Sequence, residues 1–260
     1  MLITLLVVTA YLLPVQSCYA GNFLENLNVA MTKISKNIPS SQKGNTVEIS
    51  TGRTAEITIG NERMNRLLFL GVRNSDTETV QTAISNGGNV NIYDDGYHYE
   101  TPLTIAIGKS NLTMINFLIS QGADVNVKLV GNGRPLMRAV NSSQALELIP
   151  LLVEKGADVN AESSNGDTAL TSIINSYSDN KANIVQYLLN QGANVNHTNN
   201  SGDTYLIQAV KNNYALDVVN ILLYAGADPN KINSKGKKAL DYAISSNKKE
   251  IINILLPITR

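Results

Sequence analysis

The chain has 260 residues, 43% of them hydrophobic, which is enough apolar material for a real core and excludes a disordered body. Its 21 basic and 21 acidic residues cancel, which argues against a general nucleic-acid binder, a class that is normally basic. One cysteine and two histidines exclude a disulfide framework and the usual zinc spacings, and leave little material for Ser-His or Cys-His catalysis.

The first twenty residues, MLITLLVVTAYLLPVQSCYA, differ from the rest. Leu2 to Leu13 form an uncharged apolar run, too short to span a bilayer and of the length of a signal-peptide core, which Pro14 ends. Two exits follow. Either the chain is cleaved after Ala20, or Val15-Gln16-Ser17-Cys18 acts as a lipobox and Cys18 becomes the lipidated first residue. Gln16 is unusual in such a box, and no Lys or Arg precedes the run. The alternative is a short buried N-terminal helix; the reading adopted is export.

Residues 21–61 form a separate segment. Phe23, Leu27, Ala30, Met31 and Ile34 recur at helical spacing, and TVEISTGRTAEITI alternates around Thr51-Gly52 as a β-hairpin does. A cap over the first repeat is the expectation for this segment, with a partner-binding arm or tether as the alternative.

From residue 62 onward self-similarity dominates. GGNVN at 87–91 is followed by GADVN at 122–126, GADVN at 156–160, GANVN at 192–196 and GADPN at 226–230, so the first glycines lie 35, 34, 36 and 34 residues apart. A second signature keeps pace: TPLTIAI at 101–107, RPLMRAV at 134–140, TALTSII at 168–174, TYLIQAV at 204–210 and KALDYAI at 238–244. Thr101, Thr168 and Thr204 stand where a helix should begin and can cap it, and Pro102 and Pro135 occupy the next position, where proline's missing N–H is harmless. Leu103, Leu136, Leu170, Leu206 and Leu240 should point into the core, with Ala106, Ala139, Ala209 and Ala243 keeping helices close; Ile173 departs from that rule. A second helix follows with aliphatic pairs one turn apart, such as Ile184-Val185 with Leu188-Leu189. Gly122, Gly156, Gly192 and Gly226 suit the left-handed position that ends it.

These residues resemble the ankyrin repeat family over about residues 62 to 260. The resemblance implies an all-α solenoid of about six helix pairs with projecting turns or hairpins, at approximately 62–97, 98–130, 131–164, 165–200, 201–234 and 235–260. The first pair is degenerate and the last ends at Pro257, as caps do. The family's histidine after T-P-L is absent: Thr104, Met137, Thr171, Ile207 and Asp241 stand there, which should cost some helix–turn hydrogen bonding.

The run IYDDGYHYE, 92–100, then falls on the connection between the first two pairs and holds nine residues where the other four connections hold seven. Tyr93, Asp94, Asp95, Tyr97, His98, Tyr99 and Glu100 read as a protein-contact patch on a lengthened tip, because tyrosine buries much area for little lost rotamer freedom. Two alternatives stand beside it: tyrosines packed on the next hairpin, and a metal site on Asp94, Asp95, His98 and Glu100. Arg138, Tyr205, Gln208 and Tyr242 are expected to face outward from first helices and to extend the same surface. Lys231, Lys235, Lys237, Lys238, Lys248 and Lys249 make the other end basic, as a solvated cap or a docking patch for an acidic partner.

Proteins similar to this family bind other proteins and rarely catalyse. The expectation is therefore a non-enzymatic protein-binding module without cofactor or metal, a monomer when unbound. It binds no nucleic acid and meets a membrane only through an anchor at Cys18. Export places it in a bacterial periplasm or envelope, best read as an inhibitor or immunity protein against a secreted toxin or envelope enzyme. A secreted, host-directed effector is the alternative, and a metal-dependent hydrolase on the 92–100 cluster is a third reading.

Overall fold

The computed structural model describes residues 59–94, 100–129, 133–212 and 216–259. The expected signal segment with Cys18 and the 21–58 helix and hairpin lie outside them. Gly60–Arg260 forms one compact unit.

Among the described residues there are twelve helices, arranged as six pairs. The first helices are α1 (Ile59–Asn74), α3 (Pro102–Gly108), α5 (Pro135–Ala139), α7 (Ala169–Asn175), α9 (Tyr205–Lys211) and α11 (Ala239–Ser245). Their second helices are α2 (Thr77–Ser85), α4 (Leu112–Ser120), α6 (Ala145–Glu154), α8 (Lys181–Asn190), α10 (Leu216–Tyr224) and α12 (Lys249–Leu255). First helices pack on first helices (α3 on α5, α5 on α7, α7 on α9, α9 on α11), and second on second (α8 on α10, α10 on α12). A single core runs between the two rows. Such a stack buries what one pair could not bury alone. No helix among the described residues is long and apolar enough to cross a membrane.

The local chemistry works as the letters predict. Thr101, Thr168 and Thr204 accept the backbone N–H of Thr104, Thr171 and Ile207, and Pro102 and Pro135 open their helices. Leu103, Leu136, Leu170, Leu206 and all four alanines are buried, as is Ile173; Leu240, on the last pair, is half-buried. Second helices end in a Schellman motif: the N–H of Gly122 donates to Ile119 and that of Ala123 to Leu118, with Gly122 at φ +88°.

Two expectations change. Helix α1 begins at Ile59, inside the stretch read as a hairpin strand and three residues ahead of the boundary at 62, with Glu62 favourably placed in its first turn. The missing histidine is also partly replaced. Thr104 both accepts the N–H of Thr101 and donates to its carbonyl, and Asp241 accepts the N–H of Lys238 at 2.8 Å. Met137 and Ile207 offer no such group, and the buried Thr171 hydroxyl has no partner.

What locks one pair to the next is the asparagine that closes each glycine motif. The Asn126 amide donates to the carbonyl of Gly156 at 2.9 Å, and its oxygen accepts the N–H of Asp158 at 2.8 Å. Asn91, Asn160 and Asn196 do the same from their own units. Two residues before each, Asn89, Asp124, Asp158 or Asn194 orients the asparagine by accepting its N–H. At the start of the array Asn65 on α1 plays the part of the missing predecessor, accepting the N–H of Asn89 at 2.8 Å. Asn126→Ala should cost about 2 kcal/mol, two hydrogen bonds near the usual net value. Amide exchange at Asp158 would show it, and unchanged protection there would exclude the staple.

Candidate protein-binding surface

The connections between pairs form a row of tips, each closed at its base by one backbone bond. Asp94 donates to Glu100, Leu129 to Gly133, Ser163 to Asp167, Asn199 to Asp203 and Asn233 to Lys237. In the last three a turn ends on a glycine with positive φ, Gly166, Gly202 and Gly236. Neighbouring tips are also joined: the N–H of Asn200 donates to Asn165, and that of Ser234 to Ser201, each at 3.0 Å.

The long tip is anchored at both bases. Asp94, only 8% exposed, pairs with Arg73 of α1 at 2.7 Å and accepts the N–H of Glu100. Glu100 pairs with Arg138 of α5. Tyr93 is 41% exposed, and its hydroxyl donates to the carbonyl of Lys128 on the next tip. Asp95, Tyr97, His98 and Tyr99 lie outside the described residues. Asp94 and Glu100 are thus occupied by arginines rather than offered to a ligand, and Arg138, though exposed, is already engaged. Among the described residues no three His, Cys, Asp or Glu side chains group as a metal site would need.

Two of the outward-facing expectations are corrected. Tyr205 is 1% exposed. It stands in phase with Pro102, Pro135, Ala169 and Ala239, all buried, because the first residue after the cap faces the preceding tip. Its hydroxyl meets that of Thr168 at 2.7 Å, and burial pushes its pKa up to about 12, with the charges of Glu162 and Asp167 adding to the rise and the Thr168 bond opposing it. Gln208 is 5% exposed, held by its amide N–H to the carbonyl of Asp203. Tyr242 is half-buried, bonded through its hydroxyl to Asn233 and lying 4.6 Å beneath the Lys211 ammonium.

Several residues that shape this face carry no signal in the sequence reading. Lys211 pairs with the buried Asp203, which also accepts from Asn233 at 2.6 Å. His197 faces the Gly166 carbonyl at 2.7 Å through Nε2 and stacks obliquely on Tyr205, linking two tips. The basic end is partly structural: Lys248 donates to the carbonyls of Val210 and Asn212 at the end of α9, and Lys181 to Ile174 at the end of α7. Burial lowers both lysine pKa values, while the helix C-termini favour their charge. Asp203 and Lys211 stand eight residues apart across α9, but no other unit repeats the pair, so repeat phase gives no sign of it.

A row of braced tips above a continuous first-helix layer defines a repeat scaffold for protein recognition. The model for ankyrin repeats (three copies) matches residues 68–163 and 136–233, and the chain belongs to the ankyrin repeat family. Among solved structures it is similar to an ankyrin repeat domain from Acinetobacter baumannii AYE, at 28% identity and a TM-score of 0.65, covering 74% of this chain and 98% of that one. A search of curated proteins finds no match to the chain.

Proposed function

We propose that this protein is a non-enzymatic binding module exported to a bacterial envelope, where it clamps a secreted toxin or envelope enzyme as an inhibitor or immunity protein. Family membership makes it a protein-interaction scaffold. The observation that favours the long tip as the contact is its bracing. Arg73 and Arg138 grip Asp94 and Glu100 from two separate helices, so the tyrosine-bearing residues between them start from a fixed base. A pre-set base lowers the entropy lost when a loop is ordered by its partner. The apolar run before Pro14, with Cys18 beyond it, supports export.

Affinity capture from envelope extracts of the source cells tests this, with the full chain as one bait and the Tyr93→Ala, Tyr97→Ala, Tyr99→Ala chain as the other. One stoichiometric partner lost with the triple variant is the expected result. The same partner on both baits would move the contact off the tip. An empty capture, with the chain found in culture medium rather than membranes, would replace the envelope reading with a secreted effector.

A further inference from the structure

A polar cleft of about 340 Å³ opens between α7, the fourth tip and α9, lined by Asn175, Asn199, Asp203, Gln208, Lys211 and Asn212. Two lining residues, Asp203 and Gln208, are buried, at 7% and 5% exposure. The set of residues that line it does not recur at the same positions of the other units. Where Gln208 stands, they carry Ile105, Arg138, Ser172 and Tyr242; where Lys211 stands, they carry Gly108, Asn141, Asn175 and Ser245.

The cleft has an unfilled hydrogen-bond requirement. The Gln208 amide is oriented by its Nε2–H bond to the Asp203 carbonyl at 3.1 Å, since the opposite orientation would set two acceptors face to face. Its Oε1 is therefore fixed as an acceptor, and it is buried without a partner. A buried acceptor left unmade costs more than a typical bond returns, so a donor that reaches it from the cleft, a water or a ligand group, is favoured. Lys211 supplies the complementary half. One of its three N–H groups is used on Asp203, and the ammonium lies over the Tyr242 ring, so donor capacity remains for an acceptor. Charge is already balanced within the site by the Lys211–Asp203 pair, which disfavours a second carboxylate or a cation.

From this we infer that the cleft receives a primary carboxamide, the Asn or Gln side chain of an extended partner segment. Its NH2 donates to Gln208 Oε1, and its carbonyl accepts from Lys211 Nζ. Gln208 Oε1 is itself buried, so the inference requires the lining to open, and Lys211, with 37% of its side chain exposed, is a member placed to move. The inference rests on the protein-binding reading and names the chemistry that a partner would bring to a second point on the same face.

The test is an NMR titration of the full-length labelled protein with the blocked tripeptide acetyl-Ala-Gln-Ala-N-methylamide, whose only primary carboxamide is the Gln side chain, and with the Glu and Leu versions for comparison. Saturable shifts of the Gln208 side-chain amide with the Gln peptide alone are expected. Gln208→Met should weaken that binding about tenfold, the loss of one or two neutral hydrogen bonds. It should leave the melting temperature within about 2 °C, since a bond and an unpaired acceptor vanish together. A Glu peptide binding as well as the Gln peptide would overturn the assignment in favour of an anion site on Lys211. No saturable shift, or equal binding to Gln208→Met, would remove it altogether. If the partner is still captured while the Gln peptide is ignored, the binding module stands and only the cleft falls.

Discussion

Gly202→Ala should destabilise the array by about 3 kcal/mol, while Gly236→Ala, the same change one tip later, should cost about 1 kcal/mol. Both glycines hold nearly the same left-handed backbone, φ +72° and +68°, so the conformational penalty is shared. The difference lies in the neighbour. A methyl at 202 would sit 2.9 Å from the backbone nitrogen of Ser234 and 3.2 Å from the Cα of Asn233, whereas at 236 it meets nothing within 4 Å. Backbone cannot swing aside as a side-chain end can, so the Ser234 to Ser201 hydrogen bond must break. Urea midpoints of the two variants provide the comparison. Equal losses would mean that the tips stand independently and that their close approach contributes nothing.

Raising the pH from well below 10 to well above 12 should weaken the fold by about 3 kcal/mol through Tyr205 alone, two pKa units at the usual conversion, with about 2 kcal/mol of it lost between pH 10 and 12. The sign follows from the direction of the shift. Its pKa is raised from 10.0 to about 12, so the folded state keeps the proton longer than the unfolded chain does. The contribution is therefore whole below pH 10 and is lost as pH rises through 12. Tyr205→Phe should cost about 1 kcal/mol at neutral pH, from the bond to Thr168, and then lack this alkaline slope. The stability curves of the two proteins should cross above pH 10. Curves that stay parallel to pH 12 would show that the phenol is not held in the way its burial requires. Tyr187, also raised by burial, is present in both proteins and cancels in the difference.

Tyr205 also shows where sequence and structure parted. Repeat phase correctly placed Thr204 as a cap and Leu206 in the core, because those positions see the same neighbours in every unit. The expectation that Tyr205 faces outward from its helix position fails, because the same phase puts it with Pro102 and Ala169, which are inside. Gln208 escaped for another reason. Its column holds an isoleucine, an arginine, a serine and a tyrosine elsewhere, so periodicity says nothing, and only Asp203 and Lys211 in three dimensions decide its burial. The glycine and asparagine of each motif were legible as letters, but the reach of Asn126 into the following unit depends on stacking geometry. Likewise Asp94 read as a contact residue because Arg73, its counter-charge, lies 21 positions away in a segment with no recognisable copy of the motif.

The staples also determine how the molecule carries load. Each of these asparagines reaches only into the unit directly after it, so none of the staples ties distant units together. A pull applied to the two ends is therefore borne in series, like links of a chain. The weakest link yields first, and its neighbours keep their own bonds when it does. Elastic extension should then proceed in steps of about one unit, with recoil once the force is released.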